Sequence, residues 1–128
     1  MYCVLRTMMG EKRAGDNVIV NKSKQFAVRI IKLYQFLISD KKEFVLSKQV
    51  LRSGTSIGAN VKEAVRGQSK ADFYAKMNIA LKEASETEYW LELLYETNYL
   101  TEQQYRSIYP DCQELLKILM SITKSQHN

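Results

Sequence analysis

Apolar residues recur along this chain at intervals of three and four, and the pattern divides into four helical segments. Phe26, Ile30, Leu33 and Leu37, flanked by Ala27, Ile31, Tyr34 and Ile38, predict a first helix over Ser23 to Ser39. The polar run SDKKEF interrupts it. A second helix is expected over Ser47 to Arg66, stopped at Gly67, a residue suited to the left-handed turn that ends many helices. Ser69 with Asp72 resembles a capping box carrying the shorter carboxylate, and opens a third helix over Lys70 to Thr97, about 40 Å long. Asn98 ends that helix. Thr101 with Gln104 is a capping-box start for a fourth, which reaches Lys124 through Leu115, Leu116, Leu119 and Ile122. Pro110 is expected to kink this last helix or to split off its first turn, because proline lacks the N–H that a helix interior needs. Short connections between four helices predict an all-α fold, an antiparallel up-down four-helix bundle over residues 21–125, preceded by a weakly ordered segment over 1–20 in which Met8 or Met9 could be the start.

On a helical wheel the second helix separates into three sectors. Leu46, Val50, Ile57, Val61, Ala64 and Val65 are apolar, with Gly54 and Gly58 on their flank, where a neighbouring backbone could come close. Ser53, Ser56, Asn60 and Glu63 form a polar stripe at the boundary, and Lys48, Arg52, Lys62 and Arg66 a basic stripe beyond it. Polar groups buried at such a boundary must find partners, and Ser85, Glu86 and Glu88 of the third helix are the candidates. The expected result is a polar network of Ser56, Asn60, Glu63, Ser85, Glu86 and Glu88 that sets helix register. On the third helix, Phe73, Met77, Ala80, Ala84, Leu91 and Leu94 make the core face, while Ile79, Trp90 and Leu93 fall nearly opposite. A bundle has one interior, so this second apolar sector predicts an oligomer interface. The late tyrosines Tyr89, Tyr95, Tyr99, Tyr105 and Tyr109 read as packing and interface residues.

Composition agrees with a helical domain: 128 residues, 45% hydrophobic, with one proline and five glycines, enough chain to bury a core without metals or disulfides. No apolar run approaches the roughly 18 residues of a membrane span, and the N-terminal run lacks the length of a secretory signal, so a cytoplasmic protein is expected. Cys3 and Cys112 show no metal-ligand spacing and read as thiols in a reducing compartment. A bundle metal site normally adds histidine, and His127 stands alone at the C-terminus. No Ser/His or Cys/His pairing and no glycine-rich phosphate loop is visible, so neither catalysis nor a cofactor is expected.

Charge changes the picture more than composition does. The formal charge is +5, but residues 22–76 hold twelve Lys and Arg against four acids, while 77–128 hold four against eight. Such a dipolar chain can offer a basic surface to phosphates, or pair its halves within or between subunits. Lys24, Arg29, Lys32, Lys48, Arg52, Lys62 and Arg66 are the candidate phosphate contacts of the first two helices.

Four stretches, LRSGTSIGANVKEA from Leu51, QSKADF from Gln68, IALKEASETEYWLELL from Ile79 and NYL from Asn98, make the region from Lys22 to Lys124 resemble the 23S rRNA-intervening-sequence proteins, also called S23 ribosomal proteins. The matching positions are Ser56, Asn60, Glu63, Ser69, Phe73, Ser85, Glu86 and Glu88; Ala64 stands where other members often carry glycine. The resemblance implies a bacterial four-helix bundle that assembles as a homopentamer without known enzymatic activity. It also implies a relation to accessory proteins of diversity-generating retroelements, which bind nucleic acid and a reverse transcriptase. The combined expectation is a non-enzymatic oligomeric adaptor contacting RNA or DNA backbones. The alternative is a protein-binding scaffold whose basic half serves subunit assembly.

Overall fold

The computed structural model describes residues 14–127. Cys3 and the proposed starts at Met8 and Met9 lie outside them. Four helices account for nearly all of the described chain: α1 (Ala14–Ser39), α2 (Leu46–Val65), α3 (Lys70–Glu96) and α4 (Glu102–Lys124), followed by one 3-10 turn, Ser125–His127. No strand occurs among the described residues. α1 begins well before the expected Ser23, and the reason is hydrophobic: Ile19 is fully buried and extends the apolar stripe of Phe26, Ile30 and Leu37 by two turns toward the N-terminus.

Each helix packs on the next in the chain, and α4 also meets α1. The core between them holds Phe26, Ile30, Val50, Ile57, Phe73, Met77, Leu91, Leu94, Leu115 and Leu119. The two glycines of α2 face α1. A Cβ at position 54 would stand 2.8 Å from the Ile30 side chain, and one at position 58 would stand 3.3 Å from the Ser23 carbonyl oxygen. Glycine at both positions is what lets α1 lie this close.

Local signals set three of the helix ends. Ser69 Oγ accepts from Asp72 N at 3.1 Å. Thr101 and Gln104 form the reciprocal capping box expected of them, with bonds of 2.9 and 3.1 Å. Asn98 adopts a left-handed φ of 69° after α3, which turns the chain so that Tyr99 N reaches Leu94 O at 2.9 Å. Pro110 does not split α4, which runs through it unbroken. Arg29 of α1 supplies donors to the turn that proline weakens: Nη1 reaches Ser107 O at 2.9 Å and Asp111 Oδ2 at 2.6 Å, and Nη2 reaches Ser107 Oγ at 2.7 Å.

The start of α2 was not legible in the same way, since Val45 at its N-cap provides no side-chain bond. Glu43 does that work instead. Its carboxylate is buried beneath the connection and accepts from the backbone N–H groups of Val45, Leu46 and Ser47 at 3.2, 3.0 and 2.7 Å. Burial pushes the Glu43 carboxyl up, but these three bonds pull it further down, so its pKa lies below the ordinary value. A lowered folded-state pKa means stabilisation that is present at neutral pH and lost as acid protonates the group. Replacing Glu43 by Ala is expected to cost about 1 kcal/mol in urea denaturation at about pH 7. The gap to the wild type should narrow progressively as the pH falls below the ordinary carboxylate range, and a gap independent of pH throughout the acid limb would show that the carboxylate's charge is not involved.

Candidate nucleic-acid interface

The seven candidate phosphate contacts do not share one environment. Lys48, Lys62 and Arg66 stand exposed along one stripe of α2, and Lys24 and Lys32 are exposed on α1. None of these five makes an ion pair with a described residue. At 1.5 Å per residue the α2 stripe is about 27 Å long. It ends at the α2–α3 corner beside an open cleft of about 670 Å³, lined by Lys62 and Arg66 together with Gly67, Asp72 and Lys76. Arg29 and Arg52 are engaged differently. Arg29 is held by Asp111 and Ser107 of α4, and Arg52 binds Glu86 Oε1 at 2.5 Å with Glu83 Oε2 at 3.6 Å. With Lys22 on Glu114 at 3.1 Å, these pairs join the basic half of the chain to its acidic half inside one subunit.

The polar seam between α2 and α3 is built from other residues than those expected. Ser56 Oγ donates to Arg52 O at 2.6 Å and Asn60 Nδ2 to Ser56 O at 2.8 Å, both within α2. Glu63 is exposed and pairs with Lys76 at 3.1 Å, Ser85 is exposed, and Glu88 lines the groove between α3 and α4. Of the six, two reach the facing helix, both through surface ion pairs: Glu63 to Lys76, and Glu86 to Arg52, Glu86 also accepting from Trp90 Nε1 at 3.2 Å. The buried seam is Ser53, Glu83 and Thr87. Thr87 Oγ1 lies 2.8 Å from both Ser53 Oγ and the Glu83 carbonyl oxygen. A hydroxyl has one proton, so Ser53 donates to Thr87 and Thr87 to the carbonyl. The signal for this was present but subtle: Glu83 and Thr87 sit on the same stripe as Ala80, Ala84, Leu91 and Leu94, where a polar residue needs a partner from the facing helix.

The outer side of α3 keeps part of its apolar character. Ile79 is 41% exposed and Tyr89 54%, whereas Leu93 and Trp90 are half-buried. The late tyrosines of the α3–α4 seam stack on one another, Tyr95 on Tyr105 at 4.3 Å and Tyr105 beside Tyr109 at 4.6 Å, and Tyr109 Oη donates to Glu92 at 2.5 Å. Burial and then the Glu92 bond push the Tyr109 phenol well above its ordinary range. Cys112 is buried, its thiol pushed up to about 12 first by desolvation and then by the carboxylates of Glu88, Glu92 and Asp111, which makes it a poor nucleophile. Among the described residues no group of three or more His, Cys, Asp and Glu is placed to hold a metal, and no helix is long and apolar enough to cross a membrane.

The seam makes a direct prediction. Thr87→Val keeps the shape of the side chain but leaves Ser53 without its acceptor in a dry site, and should lower stability by about 1 to 3 kcal/mol in urea denaturation. Thr87→Ser, which keeps the hydroxyl, should lose less.

Comparison with known proteins agrees with this architecture. The sequence model described as "23S rRNA-intervening sequence protein" matches residues 15–121. No curated protein sequence matches the chain. Among solved structures, the chain is similar to a protein of unknown function from the S23 ribosomal protein family of Bacteroides thetaiotaomicron VPI-5482, solved at 1.70 Å. The two are 63% identical with a TM-score of 0.84, and the match covers 86% of this chain and 98% of that one. With four helices in place and most of its length matched, this chain belongs to the 23S rRNA-intervening sequence protein family.

Proposed function

We propose that this protein is a non-enzymatic, self-associating adaptor that holds RNA or DNA by its phosphate backbone, on a basic strip formed by α1 and α2. The observation that carries the reading is the division of labour among its cations. Arg29 and Arg52 are spent on carboxylates of the acidic half, while Lys24, Lys32, Lys48, Lys62 and Arg66 stand outward without a described counter-ion. The three cations of α2 stand in a line that suits a polyanion, Lys24 and Lys32 add charge on α1, with Lys32 beside the α1–α4 cleft, and such contacts position a backbone without reading its bases. The helices run antiparallel in up-down order. Inter-helix pairs support this, because partner numbers fall as residue numbers rise: Ile30 with Gly54 but Ser23 with Gly58, and Arg52 with Glu86 but Glu63 with Lys76.

Self-association runs through the outer side of α3, where Ile79 and Tyr89 leave apolar surface in water beside Leu93 and Trp90. A homo-oligomer multiplies the strip and with it the avidity for a long polyanion.

Two measurements test these statements. Affinity for a labelled oligonucleotide should fall on the order of a hundredfold between about 50 and 200 mM salt, and the double reversal Lys62→Glu with Arg66→Glu should abolish binding. Binding that ignores both salt and reversal would remove the nucleic-acid reading and leave the scaffold. Ile79→Asp should shift the protein to a smaller species by light scattering, and an unchanged mass would place the interface elsewhere.

A further inference from the structure

The connection between α1 and α2 presents an aromatic ring to solvent under unusually firm control. Val45 is 70% exposed, the most of any large apolar residue among those described, and Phe44 is 54% exposed, level with Tyr89 and Met120. The other three phenylalanines belong to the core: Phe26 and Phe73 are 2% and 1% exposed, and Phe36 packs against it. The exposure of Phe44 follows from the backbone on either side. Lys42 takes a left-handed φ of 54°, and Glu43 then fills the inward position with its carboxylate bonded to three backbone N–H groups. Leu46 starts α2 two residues further on, so Phe44 has only the outward direction left.

The charge around the ring is predominantly positive. Lys41, Lys42 and Lys48 are exposed and form no ion pair with a described residue. Lys41 lies 5.9 Å over the Phe36 ring. Of the two acids, Asp40 is exposed, 2.8 Å from Ser39 Oγ, and Glu43 is turned inward against the amides, which leaves three lysines against one outward carboxylate. What faces solvent is an aromatic ring and a valine among lysines, at the end of the α2 strip that Lys48 begins.

We infer that Phe44 is a stacking platform for an unpaired base, with Lys42 and Lys48 on the flanking phosphates, so that the strip receives nucleic acid with single-stranded character. The inference rests on the backbone-binding reading above and adds the class of nucleic acid to it. A ring held rigidly before the ligand arrives stacks with little ordering cost, and every base has a face to offer it. Duplex bases present no such face except at their ends. The patch is too small for a stable protein interface, and two apolar side chains without an amphipathic face do little to hold a bilayer. Its continuity with the lysine strip is what selects the nucleic acid.

The test uses the full chain with labelled oligo(dT) and the same strand annealed to oligo(dA), read by fluorescence anisotropy. Wild type should prefer the single strand. Phe44→Ala should weaken single-strand binding about tenfold and leave the duplex affinity as it was, while Phe44→Trp should retain binding and show emission quenched by oligo(dT). Equal affinity of Phe44→Ala and wild type for oligo(dT), or the same loss on both probes, overturns the stacking role while the strip stands. If the wild type binds neither probe at low salt, the backbone-binding reading fails first and this one with it.

Discussion

Helix α2 has a close neighbour on each side, and the rest of the molecule depends on how it accommodates both. Toward α1 it removes side chains altogether: Gly54 admits Ile30 and Gly58 admits the backbone at Ser23. Toward α3 it keeps a small hydroxyl, Ser53, which Thr87 meets inside the core. Closeness on both sides has consequences elsewhere. It brings Arg52 within reach of Glu83 and Glu86, and it leaves Lys48, Lys62 and Arg66 on the side of α2 that faces neither neighbour. A bulkier residue at either glycine would press on Ile30 or on main chain, and a packed interior has little room to absorb such a shift.

The unequal charges of the two halves resolve into two populations. Arginine's planar fork suits it to carboxylates and carbonyls at a helix seam, and Arg29 and Arg52 occupy such positions. Lysine is a compact, well-hydrated charge on a flexible stem, and four of the five outward candidates are lysines. The acidic half therefore neutralises part of the basic half within the subunit, and of the remainder Lys48, Lys62 and Arg66 share one stripe of α2. Arg29 also ties the proline-containing turn of α4 to α1, through Ser107 and Asp111 on either side of Pro110.

Features that depend on a few neighbouring residues were legible in the sequence. The capping box of Thr101 and Gln104, the Ser69 cap, the left-handed Asn98 and the extent of α3 follow from local chemistry, and the structure contains them. Family membership was legible for a related reason, since an ordered set of short motifs survives without any knowledge of contacts. Of the expected polar network, Glu63 and Glu86 link the two helices at the surface while the buried seam lies on Ser53, Glu83 and Thr87, because a helical wheel gives direction but not the depth or register of the facing helix. Ser56, Asn60 and Glu63 point near the seam, yet two bond within α2 and the third pairs at the surface. Trp90, expected opposite the core, is half-buried, its indole N–H held by Glu86 one turn away.

From residue order alone came four helices, the caps of α3 and α4, an uneven charge and a family, because periodicity and capping act over a turn or two of chain. Tertiary structure decided which polar groups are buried together, which cations keep their charge turned outward, and that Glu43 lies inside the α1–α2 connection while Phe44 lies outside it. The first two depend on distances between residues far apart in the chain, set by the packing of Ile30 against Gly54 and of Ser53 against Thr87, and the third on the depth at which the start of α2 is buried around the Glu43 carboxylate.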